Sequence, residues 1–122
     1  MSADRELLAA ADTIKERAYA PYSRFHVGAA VRTRDGNVFA GANVENAAYP
    51  LGICAERAAL ARAVGEGYGP GDLDALAVTA SPCGGCRQWL VEFRLGSVTY
   101  RRGDGELVET TPAGLLPDTF VL

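Results

Sequence analysis

Three cysteines and one glutamate have the types and the spacing of a hydrolytic metal site. Glu56 lies two residues after Cys54, and Cys83 and Cys86 are separated by two residues. Thiolates bind zinc at the corners of a tetrahedron, and a catalytic zinc site uses three protein ligands so that the fourth position can carry water. The single histidine, His26, lies in an apolar run remote from both cysteine clusters. The sequence therefore favours a zinc site with an open position over a closed structural site.

Glu56 distinguishes a catalytic site from a structural one. A carboxylate beside a metal can take a proton from bound water and pass it to a leaving group. A glutamate in the first turn of a helix is also ordinary, because it complements the helix dipole. The alternative for the cysteines is a redox Cys-x-x-Cys pair, which residues 82–86 fit locally. Cys54 and Glu56 argue against that alternative, so we favour the hydrolytic site.

Both cysteine clusters are predicted to lie at helix starts. Residues 54–64 have high helix propensity, and residues 84–94 place apolar side chains on one helical face. Backbone N–H groups and the positive end of the helix dipole stabilise thiolates at such positions. Three thiolates around zinc leave a net negative site, and Arg57 is the main candidate to offset it by donating hydrogen bonds to the ligand sulfurs. Arg87 is a less direct candidate for the same role.

The remaining pattern predicts helices packed on a five-stranded sheet. Apolar residues at helical spacing predict a helix over residues 7–18, which Pro21 ends. Strand-like apolar runs follow at residues 25–33, 38–44, 75–79, 98–100 and 107–110. Asp35 and Gly36 predict a tight hairpin turn between the first two strands, and Thr111 with Pro112 begins a short final helix. The chain has no evident linker or repeat and enough residues for one core, so we predict a single domain over residues 1–122.

Composition limits the partners and the location. A formal charge of −3 gives no electrostatic reason to bind a nucleic acid polymer, so a small-molecule substrate is favoured. No apolar run approaches the roughly 20 residues that span a bilayer, and residues 1–16 lack a targeting pattern. An odd number of cysteines argues for metal or thiolate chemistry over a disulfide framework. We therefore expect a cytoplasmic protein that does not bind membranes.

Separated motifs along nearly the whole chain match one enzyme family in order. They are residues 22–25, 27–30, 43–47, 53–57, 81–84 with 86–88, and 115–117 followed by Phe120. With these motifs the chain resembles the small homotetrameric zinc-dependent cytidine deaminases. The resemblance implies a three-layer α/β/α fold with a five-stranded mixed sheet. It also implies hydrolytic deamination of cytidine and 2′-deoxycytidine to uridine and 2′-deoxyuridine, with release of ammonia, in pyrimidine salvage.

The resemblance assigns roles to the residues of the proposed metal site. Zinc would bind Cys54, Cys83 and Cys86. Glu56 would take a proton from the attacking water, protonate ring N3 of the base and later help to protonate the departing amine. A cysteine as first ligand resembles the members that act on free nucleosides.

The resemblance also assigns nucleoside contacts, each of which has a structural alternative. Asn43 and Glu45 match the contacts to ribose hydroxyls, but they could also be a turn residue and a solvated acid. Phe25 matches an aromatic residue that lines the nucleoside pocket, or it could be a core residue. The peptide N–H of Ala55 would touch the pyrimidine edge. Phe120 matches an aromatic residue that reaches the site of a neighbouring subunit in a tetramer, or it could pack on its own domain.

The chain departs from the family pattern at three places near the substrate. Only Ala80 lies between the predicted strand and Ser81, where relatives carry several more residues, so a more open pocket is expected. Pro50 and Gly52 replace the residues that commonly precede the first zinc ligand, near where the base enters.

Two further departures lie in the helix that follows Cys83. Gly85 replaces a common alanine, and Trp89 replaces a smaller aliphatic residue. We expect both changes to alter packing rather than chemistry, and neither to touch the ligand set.

Three functional hypotheses remain. The leading one is deamination of cytidine and deoxycytidine. The second is deamination of a related aminopyrimidine nucleoside analogue, as in the blasticidin-type deaminases, although residues 43–46 favour the ordinary nucleoside. The third is a non-enzymatic zinc or thiol domain, against which Glu56 argues.

Overall fold

Helices cover both faces of a five-stranded mixed sheet. The computed structural model describes residues 3–122. Its helices are α1 (Arg5–Lys15), α2 (Ala55–Gly65), α3 (Gly84–Glu92) and α4 (Pro112–Leu115), and its strands are β1 (Gly28–Thr33), β2 (Val38–Ala42), β3 (Leu73–Val78), β4 (Ser97–Arg101) and β5 (Leu107–Thr110). The strands lie in the order β2-β1-β3-β4-β5, with β3 and β4 parallel and the other neighbours antiparallel. The predicted α/β/α fold class is confirmed.

Helix α1 covers one face of the sheet. Asp4 caps its start, because the carboxylate accepts a hydrogen bond from the Leu7 backbone N at 3.0 Å. The buried contact set is Leu7, Leu8 and Ala11 of α1 with Ala30, Ala75 and Ala77 of the sheet. Gly28 permits this close packing, since a Cβ there would lie 2.0 Å from the Ala11 carbonyl oxygen. Small residues on this face therefore bring α1 close to the strands.

Helices α2 and α3 cover the opposite face and enclose the larger cluster of buried side chains. Successive residues of a strand point to opposite faces, so Ala29 and Val31 face this cluster while Ala30 faces α1. Gly41 of β2 permits α2 to lie against the sheet, since a Cβ there would lie 2.4 Å from the Ala59 backbone N. This packing fixes the position of α2, which begins directly after Cys54.

The first two strands are shorter than the sequence predicts. β1 begins at Gly28 and β2 ends at Ala42, so residues 25–27 and 43–44 lie outside both strands. The side chain of Asn43 replaces part of the ladder: its Oδ1 accepts from Val27 N at 2.8 Å and its Nδ2 donates to Phe25 O at 2.9 Å. The two segments leave the sheet where they begin to line a pocket.

Other boundaries differ by a few residues. β3 begins at Leu73 rather than residue 75, because Leu73 is buried and pairs with Thr33 beyond a register shift. α1 ends at Lys15 rather than residue 18, and the chain continues in tighter turns. The predicted hairpin turn is confirmed, and Gly36 adopts a positive φ of 99° there. Among residues 3–122, no helix is both long and apolar enough to cross a bilayer.

Candidate active site and metal centre

The three cysteine side chains meet at one point. Their sulfur atoms all lie within 4.8 Å of one another, and Cys54 Sγ lies 3.9 Å from Cys83 Sγ. Zinc–sulfur bonds of about 2.3 Å at tetrahedral angles place two sulfurs about 3.8 Å apart. Cys54, Cys83 and Cys86 therefore have the spacing that a shared zinc ion requires, as the sequence predicts.

Two helix starts bring the cysteines together. Cys54 is the residue before α2 and Cys83 the residue before α3, while Cys86 lies in the first turn of α3. The sulfur of Cys83 accepts a hydrogen bond from the Cys86 backbone N at 3.5 Å. The positive ends of two helix dipoles thus point at the sulfur cluster, which favours thiolates.

The protonation of the cluster also suits a divalent cation. Hydrogen bonding with Cys86 and Cys83 and the charge of Arg57 together lower the pKa of Cys54 to about 6, against the effect of burial. The same hydrogen bond to Cys54, together with burial, raises the pKa of Cys86 well above its usual range. Three thiols this close cannot all ionise unless positive charge offsets their repulsion. The donor set therefore fits zinc, which binds the thiolate form.

Glu56 is a buried carboxyl group beside the cysteines. It is the second residue of α2, only 3% exposed, and it lines the pocket described below. Burial, with a contribution from the Cys54 charge, raises the pKa of Glu56 to about 7. A carboxyl group that exchanges its proton near neutral pH, next to a metal site, has the properties of a general acid and base.

Arg57 lies next to the sulfur cluster, whereas Arg87 does not reach it. Burial lowers the pKa of Arg57, but the charge and hydrogen bonding of Cys86 raise it, so that the pKa lies above its usual value. The Arg57 Nε is buried and has no hydrogen-bond partner among the described residues, which leaves a donor available for a thiolate. Arg87 instead donates to the carbonyl oxygens of Pro82 at 2.9 Å and Leu115 at 3.0 Å. The suggestion that Arg87 supports the sulfurs is therefore wrong; it ties the loop before Cys83 to the end of α4.

A pocket of about 660 Å³ opens beside the cysteines. Its volume lies within the range of small-molecule sites. Its lining includes Phe25, Asn43, Glu45, Cys54, Ala55, Glu56 and Cys83. Four of the predicted nucleoside contacts thus share one cavity with the predicted acid and base.

The Asn43 and Glu45 side chains are already engaged with the pocket wall. Besides the contacts of Asn43 described above, Glu45 Oε1 accepts from the backbone N of Tyr22 at 2.9 Å and of Ser23 at 3.1 Å. The hydroxyl of Ser23 donates to Glu45 Oε2 and lowers the pKa of the Glu45 carboxyl. Each side chain keeps further hydrogen-bonding capacity, because an amide has two N–H groups and a carboxylate about four lone-pair sites. Asn43 and Glu45 therefore fix the position of the segment over residues 22–27 and remain able to bind a ligand.

The two predicted aromatic contacts lie in different places. Phe25 lines the pocket and is 62% exposed, so it is not a core residue. Phe120 is 72% exposed and does not belong to the pocket lining, while its carbonyl oxygen accepts from Gln88 Nε2 at 3.1 Å. Within one chain, Phe120 therefore does not contribute to this pocket.

Several residues of the pocket have no role that the sequence assigns to them. They include Tyr22, Ser23, Tyr49, Ile53, Ala80 and Ser81. Ser23 lies within one of the matched motifs, and its contact with Glu45 joins segments about 20 residues apart in the chain, so no local pattern indicates it. Tyr49 is 82% exposed in the short 3₁₀ turn Tyr49–Leu51. The one sequence signal that could indicate its place in the pocket is an aromatic residue directly before Pro50.

A buried carboxyl group and three clustered thiols at two helix starts lie beside one pocket of an α/β/α fold. Together they define a metal-dependent hydrolase of small molecules. Comparison with known proteins specifies the class further. A family profile described as the cytidine and deoxycytidylate deaminase zinc-binding region matches residues 1–102.

Individual relatives agree with the profile. A cytidine deaminase of Sporosarcina psychrophila is 45% identical over 123 residues, which cover 94% of this chain and 89% of the relative. The crystal structure of cytidine deaminase from Burkholderia pseudomallei has 44% identity and a TM-score of 0.90, and the match covers 98% of this chain and 100% of that chain. The Mycobacterium tuberculosis cytidine deaminase structure has 39% identity and a TM-score of 0.83, over 99% of this chain and 100% of that one. The chain belongs to the cytidine deaminase family, and it is a zinc-dependent hydrolase, as the sequence predicts.

Proposed function

We propose that this chain deaminates cytidine and 2′-deoxycytidine to uridine and 2′-deoxyuridine and releases ammonia, as a step of pyrimidine salvage. The observation that carries the proposal is the buried Glu56 carboxyl beside the three-cysteine cluster, in a pocket that also presents Asn43 and Glu45. The name of the Sporosarcina psychrophila relative supports cytidine as substrate.

The roles of the site residues follow from their chemistry. Cys54, Cys83 and Cys86 hold zinc, which supplies Lewis acidity that makes water a better nucleophile at neutral pH. Glu56 takes a proton from the attacking water, holds it on its buried carboxyl and delivers it to ring N3 of the base. It then passes the second proton of that water to the exocyclic amine, which leaves as ammonia, so that one oxygen replaces one amino group. Arg57 offsets the charge of the thiolates from beside the cluster.

The nucleoside is oriented by groups on two walls of the pocket. Asn43 and Glu45 bind the ribose hydroxyls with the hydrogen-bonding capacity that their wall contacts leave free. Ala55 is the first residue of α2, and its N–H, one of the donors that a helix leaves without an internal partner, binds the pyrimidine edge. The exposed ring of Phe25 packs on the nucleoside.

Substrate choice tests the proposal. Purified zinc-loaded protein is assayed for ammonia release and for the loss of cytidine absorbance, with cytidine, deoxycytidine, cytosine, CMP and a blasticidin-type nucleoside compared at equal concentration. We expect the highest kcat/KM with cytidine and deoxycytidine. A preference for cytosine, CMP or the antibiotic would overturn the assignment, and a preference for the antibiotic would support the alternative function that the short segment at Ala80 and Ser81 suggests.

We also propose a homotetramer in which Phe120 completes the pocket of a neighbouring subunit. Its support is a set of large apolar side chains exposed around the pocket and at the carboxyl end, namely Tyr22, Phe25, Tyr49, Leu51, Ile53, Phe120, Val121 and Leu122. Such a surface on a small domain favours association.

Complementation between two defective subunits tests the sharing of sites. Glu56→Gln and Phe120→Ala chains carrying different tags are co-expressed, and mixed oligomers are purified through both tags. A shared site predicts activity above the mean of the two parents, because a Glu56-containing pocket then receives Phe120 from its neighbour. Activity at or below that mean, or a monomer by light scattering, would contradict the proposal.

Two further parts of the proposal concern organisation and location. Residues 1–122 form one catalytic domain, a proposal supported by the single sheet that joins every strand named above. A cytoplasmic location is supported by the three unpaired cysteines, since thiols persist in reducing compartments.

A further inference from the structure

Two positions of α3, Gly85 and Trp89, meet at Arg57. An added Cβ at Gly85 would lie 2.2 Å from Arg57 Nη2 and 3.5 Å from its Cζ. One helical turn later, the ring of Trp89 lies 6.0 Å from the Arg57 Cζ, a cation–π distance. The Arg57 guanidinium therefore occupies the space that an alanine methyl would fill and is covered by an indole ring. Gly85 and Trp89 therefore both contact the arginine that lies beside the proposed ligands.

The position of this guanidinium matters for the sulfur cluster. An arginine side chain has several rotatable bonds, and holding it in one place costs conformational entropy. The guanidinium lies over Gly85, the residue before Cys86 on α3, so its positive charge is next to a proposed zinc ligand. A guanidinium that moved away would leave three thiolates with less positive charge nearby.

Trp89 is itself supported from its other side. The rings of Trp89 and Phe93 are stacked, with centroids 5.9 Å apart and planes inclined by 12°. Phe93 directly follows α3, which carries both Trp89 and Cys86. The stacked rings therefore hold the indole in one orientation relative to Cys86. The contacts form a continuous series from Phe93 through Trp89 to Arg57 and the sulfurs.

We propose that Trp89 and Gly85 are positioning residues that hold the Arg57 guanidinium against the cysteine cluster and thereby strengthen zinc retention. The inference rests on the zinc centre of the proposed function. The test of this inference measures metal retention without substrate. The positioning role can therefore fail while the deaminase assignment stands, and the deaminase assignment can fail while the positioning role stands.

The chain offers matched controls for both positions. Gly84 is the residue before Gly85 on α3, and a Cβ there has no atom within 4 Å. Phe39 pairs with Arg62, the other arginine–aromatic pair involving α2, also at 6.0 Å, and it lies outside the pocket lining. Gly84→Ala is therefore the control for Gly85→Ala, because it adds the same methyl group away from Arg57. Phe39→Leu is the control for Trp89→Leu, because it also replaces an aromatic ring over an arginine, which here is Arg62.

The main experiment follows zinc transfer from each purified variant to a chromophoric chelator, with circular dichroism as a check on folding. We expect Trp89→Leu and Gly85→Ala to lose zinc roughly tenfold faster than the unaltered protein, the lower end of the range for groups that support metal ligands. Trp89→Phe, which keeps an aromatic face, should restore most of the retention. Gly84→Ala and Phe39→Leu should retain zinc normally. Normal retention in both test variants, or equal loss in the controls, would overturn the proposal.

A spectroscopic measurement gives a second readout. Trp89 is the single tryptophan of the chain, so the tryptophan emission comes from this ring alone. Removal of zinc from the unaltered protein should shift the emission, and Arg57→Gln should abolish the shift, because the guanidinium links the indole to the sulfurs. The proposed link would be contradicted by an emission that does not change when zinc is removed from the unaltered protein, or by a shift that persists in Arg57→Gln.

Discussion

The two walls of the pocket are built in different ways. The metal wall consists of helix starts: Cys54 precedes α2, Cys83 precedes α3, and Glu56 is buried in the first turn of α2. The nucleoside wall consists of segments that leave the sheet, with Phe25 and Glu45 on exposed loops. The first wall is positioned by backbone geometry and core packing, and the second by side-chain hydrogen bonds between loops. Changes in the first wall should therefore remove function, whereas changes in the second should adjust affinity.

The largest effect is expected from a lost metal ligand. Cys83→Ser replaces a thiolate that zinc binds strongly with a hydroxyl that it binds weakly, so zinc content and turnover should both fall. Zinc is measured by atomic emission after exhaustive dialysis, in parallel with the deaminase assay. Full zinc occupancy in Cys83→Ser would remove this residue from the ligand set. Ser81→Ala, a change in the same loop outside the sulfur cluster, is the control and should keep its zinc.

Glu56→Ala should separate catalysis from metal binding within the same wall. The variant should keep its zinc, because Glu56 is not among the clustered sulfur donors, and it should lose at least ~100-fold in kcat. Glu56→Gln keeps the size of the side chain but cannot exchange a proton in the same way, and it should be similarly impaired. Unchanged turnover in either variant would exclude Glu56 as the proton shuttle.

The metal wall was predictable from the sequence because its chemistry follows local pattern. Cysteine spacing, a neighbouring carboxyl and helix-starting sequence are all visible within two short segments, and the structure brings them together as expected. The same holds for the order of helices and strands and for the hairpin at Gly36. Regular elements depend on periodicity and turn chemistry, which a single sequence contains.

The nucleoside wall was less predictable because its contacts are distant in the chain. The ends of β1 and β2 were placed too far into the loops, since the apolar residues there line a pocket instead of extending the ladder. The link from Ser23 to Glu45 and the contact between Arg57 and Trp89 both join separate segments. Neither can be derived from spacing, because each depends on how packed elements meet in three dimensions.

Glu45 tests whether the nucleoside wall binds substrate or only holds its shape. Glu45→Gln removes the carboxylate charge, and we expect KM to rise about tenfold with a smaller change in kcat, the size of one lost hydrogen bond to a charged group. Ser23→Ala is the matched control, because it leaves the two backbone donors to Glu45 in place and removes the Ser23 hydroxyl, which donates to Glu45 and accepts from Phe25 N at 3.0 Å. The ratio of KM between the two variants is the measurement. Equal effects of both variants would mean that Glu45 acts on the wall alone.

The smallest effect is expected far from both walls, where a change should alter stability but not activity. Arg101 of β4 and Asp12 of α1 form two hydrogen bonds, at 3.0 and 2.8 Å, on a partly exposed surface. Arg101 lowers the pKa of the Asp12 carboxyl in the folded protein, so this pair stabilises the fold above the unfolded pKa of about 3.9. That stabilisation is lost as the pH falls through the lower pKa of the folded state.

Arg101→Gln should therefore unfold at a lower temperature than the unaltered protein at pH 6. The loss in the free energy of unfolding should be less than about 1 kcal/mol, and it should shrink towards pH 3. Thermal denaturation at the two pH values measures this, and a difference that grew in acid would show that Asp12 is not the partner responsible. Zinc retention and KM should stay unchanged in Arg101→Gln, because neither Arg101 nor Asp12 lines the pocket, so this variant also shows how far loss of stability alone can account for effects measured at the two walls.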